Sequence, residues 1–412
     1  MDSAVLRGTV TGYRCATSGV SVPIETVTPF RSPAAPPGDS HHVLHPVTSG
    51  PDPELIDDPN PFARYGRSLA WWAFARAHGM SEETCLALTR EVAAGFHLTP
   101  AAPHAGLSER LGAEVWVKNE TGNVGGSHKA RHLVGILLHL RAAEDLGLLA
   151  GPRAPLAIAS CGNAAIAAST LAQAADWPIQ VYVPDTASPA VMSTLAQLGA
   201  QVHPCPRNPG VPGDPAVTAF RAAVRDGAIP FSVQGPENGL CLDGGRTIGW
   251  ELAEQMAAPA RVVIQVGGGA FAACMGWGLG PSYRLDCAQT EGGAPLARAW
   301  DLAEHTPTDE LGRRWDDFMT PWESPASLAD GILDDETYDW QADIEVMRAS
   351  GGRPIVIAEE QVREADELVQ SLGLPVSPTG TAGLAALLPG PGRGTGVTPG
   401  ERVAIVFSGV RR

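Results

Sequence analysis

The sequence predicts an α/β protein whose strands are mostly parallel and covered by helices. From Ala113 onward, short apolar runs alternate with helical patterns: AEVWVK, then LAIAS followed by NAAIAASTLAQAA, then IQVYVP. The alternation resumes in RVVIQV and YRLDCAQT and returns in RPIVIA and RVAIVFSG. Parallel strands need a long crossover connection, which a helix usually provides, so this order is typical of βαβ units.

Composition excludes several classes of protein. The chain has 412 residues, of which 44% are apolar, enough for a sizeable core and two or three domains. A formal charge of −16 without a basic cluster argues against nucleic acid as a partner. Seven widely spaced cysteines without a CxxC pair argue against disulfides and against a metal site, and favour a reducing compartment. Without a signal-peptide pattern or an apolar run of roughly 18 residues, we expect a cytoplasmic protein without membrane contact.

Two stretches interrupt the α/β pattern. Residues 28–63 carry nine prolines and little apolar periodicity, so we expect residues 1–65 to form an irregular, Pro-rich N-terminal arm. Residues 292–350 are rich in Asp, Trp and Pro. They show no strand signal of useful length and predict an irregular insertion with short helices.

The first candidate site is the turn ETGNVGGSHKARHL. Ligands of open parallel sheets bind where strands end, so turns that lead into helices are the places to search. Gly122, Gly125 and Gly126 allow a tight turn, and Lys129 lies near the first turn of the next helix. The helix dipole would depress the pKa of this lysine and favour the neutral amine, which attacks carbonyls. A solvated surface lysine is the alternative on this stretch alone.

The second candidate is the turn IASCGNAAIAAS. A strand ends at Ser160 and a helix begins near Asn163. Free N–H groups at the helix start would suit a carboxylate. Ordinary N-capping by Ser160 or Asn163 needs no ligand and is the alternative.

The third candidate is the glycine run in VIQVGGGAFAAC. Gly267, Gly268 and Gly269 directly follow a buried strand, where successive N–H groups would form a phosphate nest. The run also fits the dinucleotide-binding pattern, with Gly267, Gly269 and Ala272 in the small positions and Glu291 about twenty residues on. An NAD-dependent oxidoreductase is therefore a rival interpretation, and close helix packing is another.

The fourth candidate is VAIVFSGVRR, in which a strand delivers Ser408 at its carboxyl end. A hydroxyl there can donate to or accept from a ring nitrogen. A phosphate nest, a carboxylate-binding helix start, an amine and a hydroxyl together are what pyridoxal phosphate and an amino acid require.

On these motifs the sequence resembles the fold-type II pyridoxal-phosphate enzymes, the group of threonine ammonia-lyase, serine dehydratase, threonine synthase, cysteine synthase and the tryptophan synthase β chain. The most specific match is HLTPAAPHAGLSERLGAEVWVKNETGNVGGSHKAR. It is similar to the family's Thr-Pro, Leu-Ser pair, strand ending in Lys-x-Glu, and Gly-Ser-(Phe or His)-Lys-x-Arg. The motifs SCGNAAIAAS, LAQLGAQV, DGGRTIGWEL, TEGGAPLARA and SPTGTAGLAAL follow in the family's order. The match runs from about His97 to the C-terminus.

The resemblance implies a role for each candidate residue. Lys129 would form the Schiff base with the cofactor, Asn163 would bond the ring's phenolate oxygen, and Ser408 would face the pyridine nitrogen. The phosphate would be held by Gly267, Gly268, Gly269 and Ala270, with His128 as a helper. The substrate carboxylate would be bound by Ser160, Cys161, Gly162 and Asn163.

The resemblance also implies an architecture. We expect two open, mostly parallel twisted sheets flanked by helices, with a small domain inserted in a larger one. The large, cofactor-binding domain would comprise residues 66–120 and 233–412, and the small, substrate-binding domain residues 121–232. The cofactor would lie between them, and the enzyme would be a homodimer acting on a small amino acid.

The neutral hydroxyl of Ser408 would leave the ring nitrogen largely unprotonated, since no anion stabilises the pyridinium. That favours expulsion of a β-substituent, so we expect an amino-acid lyase that works by α,β-elimination through an aminoacrylate. β-Replacement or threonine-synthase-like γ-chemistry is the alternative. Ser377 stands where ammonia-lyases carry Glu, and Ala164 where many members carry His or Thr, so the substrate stays open.

Overall fold

The computed structural model describes residues 7–36, 38–160, 162–185, 187–207 and 214–412. Cys161, predicted to bind the substrate carboxylate, lies outside the described residues. The strands are β1 (Thr9–Cys15), β2 (Ser21–Pro23), β3 (Leu44–Ser49), β4 (Ala101–Pro103), β5 (Glu114–Asn119), β6 (Leu156–Ala159), β7 (Ile179–Pro184), β8 (Gln201–Cys205), β9 (Ile229–Pro230), β10 (Ala260–Gln265), β11 (Tyr283–Thr290), β12 (Pro354–Ile357) and β13 (Arg402–Phe407).

The helices connect and cover these strands. They are α1 (Pro61–Arg64), α2 (Ala70–Ala77), α3 (Glu82–Val92), α4 (Ala105–Leu111), α5 (Lys129–Asp145), α6 (Asn163–Ala174), α7 (Pro189–Gln197), α8 (Pro215–Arg225), α9 (Cys241–Gly244), α10 (Arg246–Gln255), α11 (Ala270–Leu279), α12 (Pro295–Leu302), α13 (Trp315–Phe318), α14 (Trp340–Ser350), α15 (Glu359–Ser371) and α16 (Pro378–Ala385). Short 3-10 turns cover Gly66–Ser68, Val124–Gly126, Thr308–Arg314 and Asp330–Ile332. Across the described ranges, none of these helices is long and apolar enough to cross a membrane.

The larger sheet has the strand order β12-β11-β10-β13-β5-β4. Its strands are parallel except β4, which pairs antiparallel with β5. Every residue of β10 is buried, as expected of a parallel strand covered on both faces. Because β10 and β13 are parallel neighbours, the glycine run after β10 and Ser408 after β13 leave the sheet at the same edge.

The smaller sheet has the order β8-β7-β6-β9 and is parallel throughout. All its strands lie between residues 121 and 232, whereas the larger sheet is built from residues on either side. The predicted fold class, with mainly parallel sheets flanked by helices, is confirmed. One apolar cluster contains Ile158 and Val181 of the smaller sheet together with Val262 and Ile264 of the larger one.

The prediction of an irregular N-terminal arm is wrong for the described part of residues 1–65. Strands β1, β2 and β3 form an antiparallel sheet in the order β2-β1-β3. Val10, Tyr13 and Cys15 of β1 are buried in the main core, and they alternate largely with exposed residues. This strand pattern was available in TVTGYRC. The prolines concentrate in the connection after β2, and Pro46 is tolerated because β3 is an edge strand.

Candidate active site

Lys129 is the first residue of α5. Gly125 and Gly126 precede it in left-handed conformations, with φ of 67° and 69°, which turn the chain from β5 into the helix. Burial lowers the pKa of Lys129, while the charges of Asp334 and Asp339 oppose that shift. In the described part of the chain its Nζ has no hydrogen-bond or ion-pair partner. The amine is therefore free to react.

The chain contains only two lysines. The other, Lys118 in β5, is fully buried, and its Nζ lies 2.5 Å from Oε2 of Glu251. It also donates to the carbonyl oxygen of Thr99 over 2.7 Å. Lys118 is thus fixed by its partners, and Lys129 is the only lysine whose amine can bind a ligand.

The glycine run follows β10 and leads into α11. Among the described residues, the N–H groups of Gly267, Gly269 and Ala270 have no hydrogen-bond partner. Gly269 has a φ of 101°, which only glycine adopts readily. Unpaired N–H groups at the start of a helix attract an anion, because the helix dipole adds to their partial charges.

Part of the predicted insertion, residues 332–343, packs directly on this run. The N–H of Asp339 donates to the carbonyl of Gly268 over 2.8 Å. A Cβ at Gly267 would lie 2.5 Å from Oδ2 of Asp334, and one at Gly269 would lie 2.7 Å from Oδ2 of Asp343. The glycines therefore serve close packing as well as leaving N–H groups free, so both interpretations made from the sequence apply.

Asp334 connects the glycine run with Lys129. Burial raises the pKa of Asp334 to about 6, although the charge of Lys129 and the N–H of Gly268 both lower it. Among the charges that act on Lys129, that of Asp334 has the largest effect. Asp339 behaves similarly: burial raises its pKa to about 7, against the N–H of Gly235 and Lys129. The amine thus faces two carboxyl groups that titrate near neutral pH.

Ser408 is buried at the end of β13. Its Oγ accepts a hydrogen bond from Nε2 of Gln265 over 2.5 Å. Its carbonyl oxygen accepts from the backbone N–H of His128 over 3.0 Å. These bonds join the end of β10, the end of β13 and the residue before Lys129, so three of the four candidate turns meet at one place.

His128 also contacts Ser408 through its side chain, since Nδ1 lies 3.1 Å from the Ser408 carbonyl oxygen. Burial holds the pKa of His128 well below its usual value, so the ring is neutral. Donation from Nδ1 then makes Nε2 a lone-pair acceptor, and this atom is buried without a partner in the described ranges. A phosphate also accepts, so the predicted helper role would need an added proton at Nε2.

The second turn places Asn163 as the first residue of α6. Gly162 is the N-cap, and no side chain caps the helix. Ser160 Oγ instead accepts from the Gly162 N–H over 3.3 Å. The alternative of ordinary capping by Ser160 or Asn163 is therefore not observed, and the N–H groups of Asn163 and Ala164 have no partner within the described residues.

Sequence reasoning missed three residues of this region: Gln265, Asp334 and Arg412. Gln265 gave a faint signal, as one amide in the apolar run RVVIQV. Asp334 lay in a stretch without periodicity, and Arg412 had no motif. The guanidinium of Arg412 donates to Oδ1 of Asn163 and, over 2.5 Å, to the carbonyl of Gly125.

Ser377 and Glu291 have structural partners. Ser377 caps α16 by accepting from the Gly380 N–H over 3.0 Å, and its hydroxyl donates to the Gly409 carbonyl over 3.3 Å. Glu291, the ribose-binding residue of the NAD interpretation, accepts from the Glu359 N–H over 2.9 Å. It therefore serves the start of α15, which leaves that interpretation without its acidic residue.

Comparison with known proteins identifies the class to which this fold and site belong. The family described as "Pyridoxal-phosphate dependent enzyme" matches residues 92–409, and the chain belongs to it. The fold-type II assignment is confirmed, and the cofactor is pyridoxal 5'-phosphate.

Particular relatives are similar to this chain at low identity. The L-threonine ammonia-lyase of Thermotoga maritima is 26% identical over 325 residues, covering 76% of this chain and 71% of the relative. The serine dehydratase-like protein of Rattus norvegicus is 32% identical over 186 residues, covering 45% of this chain and 53% of the relative. This chain thus spans about half the length of the rat protein, and its match to cysteine synthase 1 of Emericella nidulans covers 28% of that protein.

Solved structures show the same fold. Maize serine racemase superimposes with a TM-score of 0.63 at 17% identity, covering 80% of this chain and 93% of the other. The serine racemase of Dictyostelium discoideum gives a TM-score of 0.62 at 19% identity, covering 79% and 96%. A bacterial-type threonine deaminase, from the organism abbreviated T.th., gives a TM-score of 0.61 at 24% identity, covering 81% and 98%.

The residues at the site fit this cofactor. An unpaired amine suits its aldehyde, and the free N–H groups of Gly267, Gly269 and Ala270 suit its phosphate. The one feature that opposes a phosphate dianion is the carboxyl of Asp334, whose pKa near 6 allows it to be neutralised by a proton.

Proposed function

We propose that this chain is a lyase that carries out α,β-elimination on an amino acid with a β-hydroxyl or similar leaving group, giving a 2-oxo acid and ammonia. The observation that carries the proposal is the free amine of Lys129, in a chain whose only other lysine is held in a buried ion pair. Relatives named as a serine dehydratase-like protein, an L-threonine ammonia-lyase and a phenylserine dehydratase support the reaction type.

Pyridoxal 5'-phosphate, when bound, supplies the electron sink for the reaction. Lys129 would hold the cofactor covalently and, once displaced by substrate, accept the proton from the substrate's α-carbon. Its lowered pKa favours the neutral amine that both tasks need. The free N–H groups at the start of α11 would bind the phosphate, with Gly268 joining them if Asp334 withdraws.

The substrate carboxylate would bind at the start of α6. Ser160 and Gly162 flank the turn, and the N–H groups of Asn163 and Ala164 are free among the residues described. The helix dipole strengthens this anion site. Cys161, which the family resemblance places in the same site, belongs to this proposal on the sequence alone.

Ser408 would favour elimination over side reactions. Its Oγ already accepts a proton from Gln265, so its own O–H is left to donate to a ring nitrogen. A nitrogen that accepts a hydrogen bond from a neutral hydroxyl stays unprotonated, which limits the lifetime of a carbanion and favours prompt loss of the β-substituent.

The proposal is tested with the purified protein and pyridoxal 5'-phosphate. We expect a visible absorption band, and after borohydride reduction a label on Lys129 rather than Lys118. With serine, threonine and phenylserine we expect equimolar ammonia and 2-oxo acid. A substituted amino acid formed only with added sulfide would support β-replacement instead, as the cysteine synthase relatives suggest. The enantiomer of the substrate as main product would support a racemase, and γ-substituted substrates test threonine-synthase-like chemistry.

We also propose the arrangement around this site. The large domain would comprise residues 66–120 and 233–412, and the small one 121–232, with the cofactor between them. We propose a homodimer in the cytoplasm. Light scattering of the purified protein and limited proteolysis with and without cofactor test the first two points, and cell fractionation tests the third.

A further inference from the structure

The segment after β13 runs antiparallel along the turn that leads to Lys129. The N–H of His128 donates to the carbonyl of Ser408 over 3.0 Å, and the N–H of Val410 donates to the carbonyl of Gly126 over 2.9 Å. Ser127 and Gly409 face each other between these bonds. This short ladder fixes where the next side chains lie.

Arg412 extends the ladder by one more pair of contacts. Its Nη2 donates to the carbonyl of Gly125 over 2.5 Å, and its Nη1 donates to Oδ1 of Asn163. Gly125 itself packs on α6, where a Cβ would lie 3.0 Å from the Cα of Ala167. One guanidinium therefore joins the turn before Lys129 to the first residue of α6.

This contact determines which way the amide of Asn163 points. Arginine has donors only, so the amide atom that it binds must be the oxygen. The nitrogen Nδ2 is then directed away from Arg412, toward Gly409, where a Cβ would lie 2.6 Å from it. Without Arg412 the two ends of the amide would differ little in energy, and either could face the site.

We propose that Arg412 is a positioning residue, which orients Asn163 so that its NH₂ group faces the cofactor ring and can donate to the ring oxygen. This inference rests on the proposed function, since it takes Asn163 to be the partner of that oxygen. Arg412 itself need not touch the cofactor or the substrate. It acts by presenting only donors to one end of the amide.

Arg411 provides a matched control. It is also exposed, but its guanidinium pairs with Asp366 and its N–H donates to the Pro375 carbonyl over 2.9 Å. Arg411→Ala removes the same charge from the same segment without touching Asn163.

The experiment compares Arg412→Ala, Arg412→Lys, Asn163→Ala, the double variant Arg412→Ala/Asn163→Ala and Arg411→Ala. Two properties of the full-length protein are measured: the dissociation constant for pyridoxal 5'-phosphate, and the pH midpoint of the visible band of the bound cofactor. A donor to the ring oxygen stabilises its anionic form, so losing that donor moves the midpoint upward. A general loss of stability would shrink the band without moving its midpoint.

We expect Arg412→Ala to move the midpoint upward and to weaken cofactor binding about tenfold, as for loss of a hydrogen bond to a charged group. Lysine should restore part of both. In the Asn163→Ala background, Arg412→Ala should add nothing, because it acts through that side chain. Additive effects, an unmoved midpoint, or an equal shift in Arg411→Ala would overturn the inference. A parent protein without the visible band would overturn the proposed function, and this inference with it.

Discussion

Nε2 of Gln265 donates a hydrogen bond to Oγ of Ser408 over 2.5 Å, so the hydroxyl accepts from one side and can donate on the other. The same nitrogen lies 3.2 Å from the Val406 carbonyl oxygen and 3.3 Å from that of Gly380. Three acceptors around one amide group identify it as the nitrogen end. Ser408 therefore sits in a fixed position with its proton directed elsewhere.

Replacing Ser408 by Asp should change the type of reaction. A carboxylate in this position would raise the pKa of a ring nitrogen and stabilise a carbanion, which favours racemisation or transamination over elimination. We expect the ratio of racemised serine to ammonia released to rise about tenfold or more, as one pKa unit corresponds to a factor of ten. Chiral chromatography and an ammonia assay measure the two products.

Ser408→Ala is the control for that substitution. It should retain the cofactor, since the N–H groups after β10 and Lys129 remain, but react more slowly because the ring loses an orienting partner. An unchanged product ratio in both variants would mean that Ser408 does not contact the ring.

Asp334→Asn should strengthen binding of pyridoxal 5'-phosphate at alkaline pH. The carboxyl lies against Gly267 and Gly268, where its negative charge opposes a phosphate. Its pKa is raised to about 6, so it is ionised at pH 8 and largely protonated at pH 5. We expect roughly tenfold tighter binding than the parent at pH 8 and a smaller difference at pH 5, by titration of the visible band.

The neighbouring Asp335→Asn removes a charge from the same stretch without removing the contact with the glycine run. It should improve cofactor binding less than Asp334→Asn does. An equal gain in both variants would show that net charge, rather than the position of Asp334, controls affinity.

Local motifs and remote contacts differed in how well the sequence predicted them. Lys129, Asn163 and Gly267 each stand in a short pattern that combines a strand end, a turn and a helix start, so their places could be predicted from spacing alone. Arg412 contacts Asn163 across 249 positions of the chain, and Ser408 is 143 positions from Gln265. No periodicity records such pairs, because they depend on which strands become neighbours in the sheet.

Arg131→Met should destabilise the fold. This buried guanidinium, one helical half-turn after Lys129, donates to Glu120 over 2.9 Å and to Glu251 over 2.5 Å. Without it, two carboxylates stay buried with Lys118 as their main cation. Breaking a buried ion pair from one side costs about 3–5 kcal/mol, which urea unfolding should detect. Arg64→Ala, which removes a partly exposed pair with Glu254, should cost less than about 1 kcal/mol.

His139→Gln should reduce the acid sensitivity of the protein. His139 is buried on α5, its Nε2 lies 2.8 Å from the carbonyl oxygen of Val27, and its ring packs 4.1 Å from that of Phe74. Burial lowers its pKa to about 4, and the charge of His78 lowers it further.

The unfolded chain takes up this proton near pH 6.5, whereas the folded protein resists it down to about pH 4. The neutral ring's contribution to stability is therefore complete above pH 6.5 and is lost progressively as the pH falls toward 4. Over that window one such histidine costs on the order of 3 kcal/mol. His132, also with a pKa of about 4, adds to the loss in the same direction.

Glutamine does not titrate, and its amide can still donate to the Val27 carbonyl. The free energy of unfolding in urea, measured at pH 7.5 and at pH 4.5, should fall less in His139→Gln than in the parent protein. At pH 7.5 the variant should be somewhat less stable, because the stacking on Phe74 is lost. An equal fall in both proteins would contradict the prediction, since it would place the acid-sensitive groups elsewhere and leave His139 protonated or solvated in the folded state.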